Sequence, residues 1–278
     1  MRIVPIPCLS DNYAYLLVCR ETKEAAIVDV SEAGPVLAAI DQGAGTQDSR
    51  RDLSALLTHN REDVRIMAIL STHHHQDHVG GNEEVRSRLG IDRVYGHASD
   101  RGRIPGQTQY LQEDDSFEIG RLTVRALHVP GHTRGAVAYL VTHPQHDPVV
   151  FTGYTLFVGG CGRLFEGDPP MMQASLQKLA ALVPSTRVYC GHEYTESNLR
   201  FAAHVEPSNG AVETARARAA TLRKEGRATV GSTIADELTY NPFLRTDLAE
   251  IRTTLGIPAD ASSSDALGAI RKAKDSFK

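Results

Sequence analysis

The segment from Ile66 to His78 constrains this chain more than any other. Ile66-Met67-Ala68-Ile69-Leu70-Ser71 is a compact apolar run of the kind that forms a buried strand. It leads without a turn signal into Thr72-His73-His74-His75-Gln76-Asp77-His78, and Asn82 to Leu89 then reads as a helix. Alternating His73, His75 and Asp77 at a strand end direct donor side chains into one cavity, and the first turn of the next helix holds His78 beside them. Imidazole and carboxylate are the donors that zinc and related divalent ions take when no thiolate is present. The bland alternative is an exposed histidine tract with adventitious metal affinity, and the intervening aspartate and following helix argue against it. His74, whose neighbours point the other way, is not expected to be a ligand.

Two further histidines follow predicted strands and stand next to glycine. His132 lies in Val129-Pro130-Gly131-His132-Thr133, and His192 in Cys190-Gly191-His192-Glu193. The natural division is two tripods, with His73, His75 and His132 for one ion and Asp77, His78 and His192 for the other. Three protein ligands per ion leave a position for water, which hydrolysis requires. Asp77, a ligand and a neighbour of that water, is also the candidate catalytic group. His59, His97, His128, His143, His146 and His204 read as ordinary surface or packed histidines.

Elsewhere, Tyr13–Val18 and Ala25–Val30 read as a hairpin, Glu32–Ile40 as a helix and Gln42–Arg51 as an exposed connection. Further strands are expected at Arg93–Tyr95, Leu122–Val129, Val137–Val141, Val149–Thr152 and Arg187–Cys190. Met171–Leu182 has helical periodicity. Beyond His192 the pattern is helical, at Glu193–Val205, Ala211–Glu225, Thr233–Leu238, Thr246–Leu255 and Ser264–Lys274, with Ser264-Asp265 offering the cap of the last. A boundary near residue 193 divides a metal-binding domain, 1–192, from a helical domain, 193–278.

The 278 residues suffice for a large core, and a net charge of -4 shows no excess for nucleic acid. The four cysteines form no C-x-x-C pair and read as buried thiols in a reducing compartment. No leader-like N-terminus and no apolar run of about 18 residues is visible, so a cytoplasmic protein without membrane contact is expected. A mitochondrial form made from a longer transcript would not show here. The chain is read as a monomer.

With these residues assembled, the chain resembles the metallo-β-lactamase superfamily, and within it the hydroxyacylglutathione hydrolase (glyoxalase II) family. The similarity runs from Asp11-Asn12-Tyr13 through Thr72–His78 with Gly80-Gly81-Asn82, Gly131-His132-Thr133, Phe151-Thr152-Gly153, Thr155-Leu156-Phe157 and Gly160-Cys161-Gly162-Arg163. It continues at Cys190-Gly191-His192-Glu193-Tyr194, Thr239-Tyr240-Asn241-Pro242-Phe243 and Lys274-Asp275-Ser276-Phe277. The resemblance implies an α/β (α+β) fold, a four-layer αββα sandwich followed by a helical glutathione-binding domain. It implies hydrolysis of S-(2-hydroxyacyl)glutathione, S-D-lactoylglutathione above all, to glutathione and D-lactate by a metal-bound hydroxide, as in methylglyoxal detoxification. Two divalent ions are implied, zinc foremost, with iron and manganese also suited to the donors. Substrate contacts carry over to Arg163, Phe165, Tyr194, Arg271 and Lys274. The family usually has lysine at the place of Arg163 and often tyrosine at that of Phe165. Solvation, or stabilisation of a helix end, is the bland alternative for Arg271 and Lys274.

One position departs from the pattern. Where the family places an aspartate that bridges both metals, this chain has Tyr154. A neutral phenol supplies neither the charge nor the two donor oxygens of a carboxylate, and it is bulkier. Tyr154 then binds as a phenolate whose pKa the metal has lowered, or each tripod keeps its ion more weakly, or only the three-histidine site stays filled; the expectation is weaker or incomplete metal loading with reduced turnover. The competing reading is a degenerate homologue that binds glutathione conjugates without efficient catalysis. A one-iron persulfide dioxygenase is a third reading, and that family lacks the long helical C-terminal part.

Overall fold

The computed structural model describes residues 1–41 and 64–277. The chain packs as two compact units, one formed by Met1–His128 with Val137–Asp147, the other by Val129–Ala136 with Pro148–Lys278. The connection expected at Gln42–Arg51 and the histidine His59 lie outside the described residues.

In the first unit, β1 (Arg2–Cys8) and β3 (Glu24–Val28) each pair antiparallel with β2 (Asn12–Val18) between them. After α1 (Ala33–Asp41), the strands β4 (Arg65–Leu70), β5 (Arg93–His97) and β6 (Gln109–Leu111) extend this sheet in parallel. Between β4 and β5 lie the short α2 (Gln76–Val79) and α3 (Asn82–Leu89). The hairpin of β2 and β3 matches the sequence expectation. The strand β1, which carries Pro5 and Pro7, does not appear among the expected strands. It lies at the sheet edge, where a proline without an N–H need not interrupt a ladder. Val4, Ile6, Leu16, Ile27, Val36, Ile69, Val85 and Val94 meet in one buried core around this sheet. The strands β7 (Ser116–Ile119), β8 (Leu122–His128) and β9 (Val137–His143) form an antiparallel meander in the same unit.

The second unit holds β10 (His146–Gly153) from Pro148 onward, the short pair β11 (Leu156–Phe157) and β12 (Gly160–Cys161), and β13 (Arg187–Cys190). β10 and β13 are parallel, so both deliver the chain to the same end of the sheet. Between β12 and β13 runs α4 (Pro169–Ala180), capped by the Asp168 side chain and begun by two prolines. Then come α5 (Thr195–Val205), α6 (Gly210–Lys224), β14 (Ser232–Thr233), α7 (Ile234–Tyr240), α8 (Ala249–Leu255) and α9 (Ser263–Ser276). The helical character expected after residue 193 is there, with two differences. α8 begins at Ala249 rather than Thr246. The cap of α9 is Ser262, whose hydroxyl accepts from the Asp265 N–H, and not Ser264-Asp265. No helix among the described residues is long and apolar enough to cross a membrane.

One buried charge in the second unit has consequences for stability. Glu237 is fully buried and accepts from the Gly159 N–H (2.9 Å), the Tyr240 hydroxyl (2.9 Å) and the Asn241 amide (2.8 Å). Burial pushes its carboxyl up to about 7, against the lowering effect of its hydrogen bonds. The folded state therefore binds this proton more tightly than the unfolded chain. The resulting stabilisation is full below the ordinary value of 4.5 and is lost as pH rises through about 7. Glu237→Gln is expected to flatten that dependence, with wild-type stability falling by roughly 2–3 kcal/mol relative to the variant across this window. Denaturant melts of both proteins at several pH values check this, and parallel pH profiles would refute it.

Candidate metal centre

In the first unit the site is organised by a carboxylate, Asp29, that is not among the ligands expected from the sequence. Asp29 follows β3 in a left-handed conformation, with φ of 53°, and is buried. One of its oxygens accepts from the Thr72 N–H (2.8 Å), and the other from the Thr72 hydroxyl (2.8 Å). The second oxygen also lies 2.9 Å from Nδ1 of His78. These bonds pin the segment leaving β4 against the end of β3. The sequence held a signal for this residue, an acid within the apolar run Ala25-Ala26-Ile27-Val28-Asp29-Val30, since a buried charge is retained only with partners.

The same bonds decide which imidazole nitrogens can hold an ion. A carboxylate accepts only, so Nδ1 of His78 carries a proton and Nε2 is the nitrogen left to bind an ion. Thr72 spends its proton on Asp29, so at 3.1 Å it accepts from Nδ1 of His73, and Nε2 of His73 is likewise the basic nitrogen. Burial opposes a charge on His78, but the Asp29 carboxylate and its hydrogen bond, with Asp77, outweigh it and hold the pKa above the usual imidazole range.

His73 and His78 are buried, with ring centroids 4.2 Å apart, and the His75 ring lies 4.8 Å from that of His73. The donor atoms of His73 and His75 approach within 4.8 Å of each other. Asp77 brings a carboxylate oxygen to 3.4 Å from Nε2 of His78. Asn12 fixes Asp77, donating to its carbonyl (2.9 Å) and to its carboxylate (3.1 Å). His74 turns away, with Nδ1 3.2 Å from the Asp100 carboxylate and Nε2 against Arg103, as expected of a residue outside the ligand set.

In the second unit, the loop carrying His132 is folded back on itself. Gly131 adopts φ of 151°, and its carbonyl accepts from the Gly167 N–H at 3.1 Å. A Cβ on Gly131 would stand 3.0 Å from Met172, so the close packing on α4 favours glycine. Nδ1 of His132 lies 2.7 Å from the Arg163 carbonyl. A carbonyl only accepts, so His132 also presents Nε2 as its basic nitrogen. His192 follows β13 directly, and Tyr154 follows β10. The Gly191 N–H joins the two strand ends by donating to the Gly153 carbonyl at 2.9 Å.

The expected substrate contacts also gather in this unit. Asp275 lies 3.4 Å from Nε of Arg163 and 3.1 Å from Arg271. Arg271 is only 7% exposed and donates to the Cys161 carbonyl at 2.7 Å, so simple solvation does not describe it. Lys274 donates to the Ser197 carbonyl (3.1 Å) and hydroxyl (2.8 Å). Burial, then the neighbouring Arg271, Arg200 and Arg163, bring its ammonium down to about 8, with Asp275 opposing them. Phe165 is exposed, with its ring 5.1 Å from that of His132. The Tyr194 ring stacks on His192 at 4.8 Å.

The donors fit a divalent ion. Carboxylate and imidazole are of the right hardness, and three of the imidazoles have Nδ1 anchored within the protein, the arrangement that aims Nε2 at a metal.

Comparison with known proteins agrees with this chemistry. Residues 11–192 match the family model of the metallo-β-lactamase superfamily, and residues 193–277 match that of the hydroxyacylglutathione hydrolase C-terminus. A hydroxyacylglutathione hydrolase of Methylococcus capsulatus is 42% identical over 278 residues, which cover 100% of this chain and 99% of the relative. Among solved structures, the BLEG-1 B3 metallo-β-lactamase superposes with a TM-score of 0.58 at 26% identity, over 87% of this chain and 99% of that one. TTHA1623 in a di-iron-bound form superposes with a TM-score of 0.54 at 27% identity, over 88% of this chain and 100% of that one. The superfamily's α/β fold and divalent-metal chemistry are thus those of this chain. With both family models matched along the chain and a relative 42% identical over its whole length, the chain belongs to the hydroxyacylglutathione hydrolase family of the metallo-β-lactamase superfamily.

Proposed function

We propose that the chain hydrolyses 2-hydroxyacyl thioesters of glutathione, S-D-lactoylglutathione foremost, to glutathione and the free hydroxy acid. What supports the reading is the chain's membership of the hydroxyacylglutathione hydrolase family, together with Nδ1 contacts on His73, His78 and His132 that leave Nε2 of each for an ion. In this reading His73, His75 and His132 would hold one divalent ion, and Asp77, His78 and His192 the other. Zinc is the first choice for such donors, with iron and manganese as substitutes. Ions held by these residues would supply a more acidic water and an electrophile for the thioester carbonyl.

The remaining work belongs to the chain's own side chains. Asp77, steadied by Asn12, orients the proton of the attacking water. Arg163 and Arg271, both beside Asp275, and Lys274 supply cationic donors for the carboxylates of glutathione. Tyr194 and Phe165 flank the peptide. A cytoplasmic setting suits the four cysteines, all buried free thiols.

The direct test follows loss of thioester absorbance from S-D-lactoylglutathione. Hydrolysis is expected with zinc, is abolished by chelation and returns on adding the ion. Absence of turnover in protein shown to contain metal would sink the reading. Asp29→Asn places a donor where His78 and Thr72 need acceptors. We expect metal affinity to fall ~10–100-fold, measured by competition with a chromophoric chelator, while the metal-free protein stays folded. Lys274 carries its charge below about 8 and loses it above. The value of kcat/KM is therefore expected to fall as pH rises through that point, beyond any change in Lys274→Ala. That variant is expected to be roughly tenfold or more weaker at neutral pH, through KM.

A further inference from the structure

The side chain of Tyr154 enters none of the steps above, yet it is packed closely. Its ring lies face to face with the His132 imidazole, centroids 4.0 Å apart and planes within 10°. It meets the His192 ring edge-on at 4.8 Å and 71°, and Phe157 closes another side at 4.8 Å and 75°. Gly162 makes room for it, since a Cβ there would lie 2.6 Å from Cδ1 of the tyrosine. The phenol oxygen lies 3.3 Å from that of Tyr194, whose own ring stacks on His192.

We propose that Tyr154 is a positioning residue for the metal centre: its ring sets the planes of His132 and His192 by packing, and its oxygen is not a ligand. The inference rests on reading those two histidines as ligands. An imidazole nitrogen donates along a line in its own ring plane, so fixing the plane fixes the direction of donation. The Nδ1 bond from His132 to the Arg163 carbonyl constrains one atom of the ring, and the tilt of the ring plane keeps its freedom unless neighbours pack on its face. A flat ring stacked on the imidazole removes that freedom, and it lies beside the line of donation rather than across it. Aromatic pairs of this kind hold their geometry beyond what area burial gives. The oxygen is engaged with Tyr194, at the far end of the ring from the backbone. The place at which the resembled family has a bridging carboxylate is, in this chain, an aromatic spacer between two histidines.

The test loads the full-length protein and its Tyr154 variants with Co(II), reading affinity by titration and ligand geometry from the visible spectrum of the bound ion. Tyr154→Phe keeps the ring and loses the oxygen. It is expected to bind Co(II) within about twofold of wild type with an unchanged spectrum. Tyr154→Ala is expected to bind ~10-fold more weakly with an altered spectrum. Tyr154→Leu fills the slot without a flat face and is expected to behave like the alanine variant. A loss in Tyr154→Phe as large as in Tyr154→Ala would make the oxygen a ligand and overturn the proposal. Wild-type affinity and spectrum in both Tyr154→Ala and Tyr154→Leu would overturn it as well. Failure of the wild-type protein itself to take up Co(II) would instead strike the metal-centre reading on which the proposal stands.

Discussion

The Asp29 carboxylate is the anchor on which the first unit's chemistry depends. It is removed from water, which costs several kcal/mol for an isolated charge. Its offsets are the backbone N–H and hydroxyl of Thr72 and the imidazole of His78. Through Thr72 the same charge reaches His73, so one carboxylate sets the tautomer of two histidines. The left-handed turn at Asp29, with φ of 53°, aims the side chain back toward the end of β4. Removing the charge would take this acceptor from the Thr72 N–H and hydroxyl and from Nδ1 of His78.

The second unit solves the same problem with neutral groups. A backbone carbonyl, that of Arg163, takes the place of the carboxylate for His132. Aromatic faces do the rest, with Tyr154 on His132 and Tyr194 on His192. The cationic side chains nearby are held rather than loose. Arg271 is tied to the Cys161 carbonyl and Asp275, and Lys274 to Ser197, so less side-chain freedom remains to be lost on binding an anionic substrate.

Much of this was legible from residue order. The apolar run into His73–His78 located the loop, and the glycines beside His132 and His192 marked their strand-end turns. The strand β1 was not among the expected strands; Pro5 and Pro7 are poor strand residues, and only its edge position makes them harmless. The cap of α9 fell on Ser262 because three serines in a row offer near-equal hydroxyls, and backbone geometry chose among them. The partners of Arg271 were hidden, since an arginine on an amphipathic helix reads as a solvated cation until the packing around it is known.

The sequence by itself determined the donor types, their strand-end placement, the helical character beyond residue 193 and the presence of a phenol at position 154. These follow from local pattern and from the chemistry of each side chain. Only the tertiary structure decided which nitrogen of His78 and of His132 is engaged within the protein, because that depends on acceptors such as Asp29 and the Arg163 carbonyl, 49 and 31 residues away in the chain. It also decided that Tyr154 lies flat on His132. A ring's orientation is fixed by the surfaces that enclose it, and those surfaces come from separate stretches of the chain that meet only on folding.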